Sequence, residues 1–170
     1  ILAAFLWIAA IIALYPKRHI EFYFEENDTN AKAPEFIVSQ DKKLEFPTKT
    51  YTLRDNNWNT VAKFHKNIFT DILRKTWHIE FAGKHVVVKE ESIILGLLRR
   101  WMPFGQLIRT NFIFIDATND PKSSNIIGYF KRKFEIFDNY MLDMTRDPTY
   151  VVPRQFALCM AVLLDSGEKR

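Results

Sequence analysis

His65, His78 and His85, with Glu80 between the last two, hold three of the chain's four histidines in one short stretch. Imidazole and carboxylate together are the donor set of many zinc and copper sites. The spacing matches neither a zinc-protease helix nor a finger, and no second Cys/His cluster accompanies it. The reading from sequence is therefore ordinary surface or core histidines, with no metal and no cofactor. Asp55, Asp71, Asp116, Asp138, Asp143 and Asp147 offer carboxylates for acid–base chemistry, but none stands in a recognisable pair. Glu90-Glu91 is placed at a helix start, where the macrodipole favours acids. Cys159, the single cysteine, sits between Leu158 and Met160; a nucleophile needs an accessible, electropositive setting, so a small buried residue is the reading. No catalytic residue is identified, and the chain is read as not an enzyme.

Two basic clusters stand beside aromatic residues: Arg99-Arg100 with Trp101, and Lys131-Arg132-Lys133 with Tyr129 and Phe130. Phosphate contacts and base stacking use such pairs, and so do lipid head groups and acidic partners. Across the whole chain, 24 Lys+Arg interleave with 20 Asp+Glu for a net charge of +4. That balance suits a solvated surface, and no direct nucleic-acid partner is expected.

These residues need elements to position them. His19 to Glu25 alternates polar and apolar, and after the turn-forming run to Pro34 comes Glu35-Phe36-Ile37-Val38, which predicts a hairpin over 19–38. Trp58, Val61, Phe64/His65, Ile68 and Ile72 recur at helical spacing, with Asp55 or Asn56 as cap, and predict a helix over 57–76. Ile93, Ile94, Leu97, Leu98 and Trp101 predict a second over 90–102, stopped by Pro103. His85–Val88 reads as a brief strand or an extended link and Phe112–Ile115 as a strand, while 126–138 is open between helix and strand, with the alternation of Phe130, Phe134 and Ile136 with Lys131, Lys133 and Glu135 favouring a strand. Phe156, Leu158, Met160, Val162 and Leu164 alternate as a last strand. Asp165-Ser166-Gly167 then reads as a hairpin turn whose returning strand is cut off. The expected fold class is α+β, with helices packed on a curved antiparallel sheet.

Residues 1–15 carry no charge and no strongly polar side chain. A bilayer crossing needs roughly 20 apolar residues. With Ile1 in place of Met, this run is read as the C-terminal part of a transmembrane anchor, ended by Pro16. A signal-peptide core lacks its cleavage site here, an interfacial helix lacks its polar face, and a buried core helix is the remaining rival. Tyr15, Lys17 and Arg18 are placed at the membrane interface. The chain as a whole is aromatic-rich, with 15 Phe in 170 residues, which argues against disorder.

The stretch Leu14-Tyr15-Pro16-Lys17-Arg18-His19-Ile20-Glu21-Phe22-Tyr23-Phe24 resembles the membrane exit of the bitopic inner-membrane assembly proteins of bacterial type IV secretion and conjugation machines. Ala33-Pro34-Glu35-Phe36-Ile37-Val38 resembles the second strand that follows in that family. Glu21 replaces the family's usual proline, and its Asn-Pro-x-Gly turn is not found. The resemblance implies a soluble domain like nuclear transport factor two, periplasmic and single-pass at the inner membrane. It implies a non-enzymatic scaffold that oligomerises and binds other subunits of a membrane machine. The domain organisation then reads as anchor 1–16, juxtamembrane hairpin and linker 17–50, and α+β domain 51–170. An accessory subunit of a respiratory or organellar complex is the alternative, and an enzyme with a cavity in its sheet the third. Tyr23, Trp58, Trp77 and Trp101 are the candidate core or interface aromatics.

Overall fold

A computed structural model describes residues 17–23, 34–43, 45–102, 111–133 and 139–168, and the alternation of buried and less buried side chains is clearest over 76–81 and 84–90. Nine strands follow: β1 (His19–Phe22), β2 (Phe36–Gln40), β3 (Thr48–Asp55), β4 (Thr60–Asn67), β5 (Thr76–Phe81), β6 (Lys84–Glu90), β7 (Phe112–Asp116), β8 (Ile126–Lys133) and β9 (Asn139–Asp143). They form one sheet in the order β1 to β9, each antiparallel to its sequence neighbour. Among the described residues three helices interrupt or follow it: α1 (Ile68–Leu73), α2 (Ile93–Trp101) and α3 (Arg154–Glu168). The expected α+β arrangement like nuclear transport factor two is therefore not what forms.

One face of the sheet is the core. Tyr51 and Leu53, Ala62 and Phe64, Trp77, Ile79 and Phe81, Val86 and Val88, Phe112 and Phe114 all point into a single cluster. The residues between them, such as Lys63, His65, His78 and Glu80, face outward, as period two requires. The same cluster takes in Ala157, Cys159, Met160, Leu163 and Leu164 from α3. Phe156 sets its ring edge-on to Phe36 (6.1 Å) and Phe81 (5.4 Å). The approach to α3 is held by Asp147, 1% exposed. Its carboxylate accepts from the Val151 and Val152 amides and pairs with Arg154 at 3.1 Å.

Several expectations hold. The 19–38 hairpin forms, pairing His19 with Ser39 through Phe22 with Phe36. The strands at 85–88, 112–115 and 126–133 are present, and residues 134–138 of the last lie outside the described residues.

Two expectations fail for physical reasons. The predicted helix over 57–76 is instead a turn, β4 and the six-residue α1. Asp55 does accept amide protons as a cap would, from Asn57 (2.9 Å) and Asn59 (2.8 Å). Those bonds close a hairpin loop in which Trp58 turns left-handed (φ 63), so the chain reverses rather than coils. The predicted strand at 155–164 is α3, and Asp165-Ser166-Gly167 lies inside it. Its alternation was not informative, because Ala157, Cys159, Ala161 and Leu163 between the chosen residues are apolar too. A run that is apolar at both parities fits a buried helix as well as a strand.

Among the described residues no helix is long and apolar enough to cross a membrane. The expected single-pass inner-membrane placement is not supported. Residues 1–16, assigned to the anchor and including Tyr15, lie outside the described residues.

Candidate interaction surface

Because consecutive strands are antiparallel, the connections β2–β3, β4–β5 and β6–β7 all emerge at one end of the sheet. Two of them are built as helices. Asn67 caps α1, its side-chain oxygen accepting from the Phe69 amide at 2.8 Å. Ser92 caps α2, accepting from the Leu95 amide at 3.3 Å. Both are the small polar acceptors that satisfy free amides at a helix start.

The helices are tied to the sheet through a buried acid. Glu90, fully buried at the end of β6, accepts from the Lys75 amide at 3.1 Å. The Arg74 guanidinium, just after α1, donates to the Glu90 carbonyl at 2.7 Å and reaches the Glu91 carbonyl at 3.3 Å. Burial lowers the Arg74 pKa, and the Glu90 carboxylate opposes that shift. Gly96 of α2 lies over the same carboxylate: a Cβ there would stand 2.5 Å from Glu90 Oε2. A residue read from sequence as a helix-start acid is thus the post on which α1 and α2 are mounted.

What the helices present outward is apolar. Ten of the fifteen exposed large hydrophobic residues among those described belong to this end: Phe46, five residues of α2, its C-cap Met102, and three of α1. Trp101 is 82% exposed and Ile94 71%. Phe46 and Phe69 meet edge-to-face at 5.3 Å, which joins the β2–β3 connection to α1, and α1 touches α2. The α2 stripe is where its spacing predicted, yet it faces solvent instead of the core.

The four candidate aromatics separate. Trp77 is core, 3% exposed, tilted against Tyr51 at 5.6 Å with the Lys66 ammonium over its ring. Trp101 belongs to the exposed helical end. Trp58 and Tyr23 are exposed at the opposite end, in the β3–β4 turn and after β1. Lys17 and Arg18 lie along the sheet: Lys17 Nζ donates to the Asp41 carbonyl, and the Arg18 carbonyl accepts from Gln40. Of the second basic cluster, Phe130 is core, and Tyr129 lies under the Lys131 and Arg146 cations at 4.6 and 5.1 Å.

Strand pairing brings together the three histidines that spacing left unconnected. His65 on β4 stands directly opposite His78 on β5, their ring centroids 5.0 Å apart. His85 on β6 lies diagonal to His78, its ring within 9° of parallel, with Nδ1 of His78 and Nε2 of His85 3.0 Å apart. Burial holds the His78 pKa down at about 4, helped by its two neighbours. Burial also lowers that of His65, against the pull of Glu80 at 3.9 Å. Among the described residues no three His, Cys, Asp or Glu side chains converge as a three-ligand metal site requires. Only the register of β4, β5 and β6 makes this cluster, so no spacing in the sequence announced it. Cys159 is buried, and that burial pushes its thiol up to about 12, far from nucleophilic.

No family model, curated protein or solved structure matches this chain. Nothing in those comparisons identifies a type IV secretion protein.

Proposed function

We propose that this domain is a non-enzymatic binding module, a scaffold subunit that docks another protein of its assembly on the α1–α2 end. The observation behind this reading is the outward apolar face of α2, carried on a sheet that already has a complete core of its own. An exposed stripe of Ile94, Leu98 and Trp101 beside Phe69 and Ile72 is larger than the scattered single hydrophobes of an ordinary surface. Its composition, aromatic and aliphatic with Trp101 at the C-terminal end of α2, is that of a protein–protein hot spot. The Glu90–Arg74 mounting fixes the two helices in advance, so little ordering entropy is lost on docking. Catalysis has less to support it: the described acids, histidines and cysteine form no nucleophile–base pair.

A photo-crosslinking residue at position 94, with mass-spectrometric identification of the adduct, tests the reading. A defined partner subunit whose capture disappears in Trp101→Asp is the expected result. A monomer that acquires no protein adduct in its native cell, or one that binds only lipid vesicles through Trp101, would refute it.

A further inference from the structure

We infer that His78 and His85 form a two-imidazole binding site for a divalent first-row transition ion of the Cu2+, Ni2+ and Zn2+ class, with water in the remaining positions. The geometry is the starting point. Metal–imidazole bonds of about 2.0–2.1 Å set at roughly a right angle place two ligand nitrogens about 3 Å apart. The facing nitrogens of His78 and His85 stand 3.0 Å apart. Their Cα positions are fixed by the six consecutive register pairs of β5 and β6, from Thr76–Lys89 to Phe81–Lys84. The two-residue turn between those strands, Ala82 and Gly83 at φ 46 and 74, is the left-handed type that locks a hairpin's register. Small rotations of the two rings away from one another aim both lone pairs at a common point outside the sheet.

The contact present now is a hydrogen bond between the two imidazoles, in which one nitrogen carries hydrogen and the other accepts. Metal binding needs both facing nitrogens bare. The donor ring meets that need by moving its hydrogen to its other nitrogen.

The surroundings select the ion class. Glu80, directly opposite His85 in the register, is the nearest carboxylate, and His65 abuts the far side of His78. An open cleft of about 490 Å3, bordered by Lys63, Glu80, Lys84 and His85, provides the solvent route. One carboxylate and two lysines are a poor setting for Ca2+ or Mg2+, which need several oxygen donors. Imidazole pairs suit the borderline ions, with Cu2+ the tightest by the Irving–Williams order.

The test is calorimetric titration of the chelator-stripped protein with Cu2+, Ni2+ and Zn2+ at pH 7.5. Electron paramagnetic resonance of the Cu2+ form follows, with circular dichroism confirming that each variant is folded. The expected result is one ion per chain, Cu2+ tightest, and hyperfine coupling to imidazole nitrogen. Affinity should fall at least tenfold in His78→Ala and in His85→Ala, less in His65→Ala, and not at all in His19→Ala. Unchanged Cu2+ affinity in folded His78→Ala or His85→Ala overturns the assignment. So does loss of binding in His19→Ala, which would move the ion to the exposed His19–Glu21 pair.

Discussion

Gly96 lies so close to Glu90 that a single added carbon on its Cα would stand 2.5 Å from the Glu90 Oε2 atom. The acid is fully buried, and helix α2 rests on it through the one residue in its middle with no side chain.

Gly96→Ala should therefore lower stability, although alanine is the better helix former by about 1 kcal/mol. Overpacking against a buried carboxylate costs about 1–3 kcal/mol, and the carboxylate cannot retreat without losing the Lys75 amide. Urea denaturation should show a lower midpoint at unchanged slope. A rise in stability would mean that α2 does not press on Glu90.

Two tryptophans should part company under the same substitution. Trp77→Ala removes a core ring and should cost about 3–5 kcal/mol. Trp101→Ala removes an 82% exposed one and should stay within about 0.5 kcal/mol. Thermal melts of the two variants, with partner capture measured in parallel, should show stability lost in the first and binding lost in the second.

Acid should loosen the sheet through His78, measured with chelator present. Its folded pKa of about 4 lies below the ordinary 6.5, so the unfolded chain binds the extra proton more readily. The stabilisation is complete above pH 6.5 and is lost as the pH falls from there toward 4. Half-exposed rings are screened by water, which leaves an effect on the order of 1–2 kcal/mol. His65, shifted the same way, adds to it. His78→Gln should flatten the decline of melting temperature between pH 6.5 and 4, and an unchanged slope would show that these rings do not carry it.

Cys159 should resist alkylation at neutral pH, since its thiol is buried in α3 and held near 12. Iodoacetamide labelling should track global unfolding in urea. Rapid labelling of the native protein would place α3 outside the core.

Some of this was legible from residues alone. The 19–38 hairpin stood out because polar and apolar side chains alternate from His19 to Phe22 before a turn-forming run, whereas 112–115 stood out as a short apolar run of Phe and Ile and 126–133 as an apolar stretch that turns basic. The position of α2 was legible from its spacing, but the direction of its apolar face was not. That direction depends on Glu90 and Arg74 anchoring the opposite side, a tertiary contact with no local signature. Asp55 misled because the same carboxylate-to-amide bonds that cap a helix also close a hairpin loop. The 155–164 segment misled because every position from Phe156 to Leu164 is apolar or small, so no period could be extracted. The imidazole cluster was hidden for a simpler reason: β4, β5 and β6 must be laid side by side before its members meet.

Each strand's partners are its immediate neighbours along the chain, so the sheet can grow one hairpin at a time as the polypeptide leaves the ribosome. The helix that seals its apolar wall follows all nine strands. Until Phe156 and Leu164 emerge from the exit tunnel, the growing sheet offers a bare greasy flank, and a stalled or shortened product would be a client for chaperones.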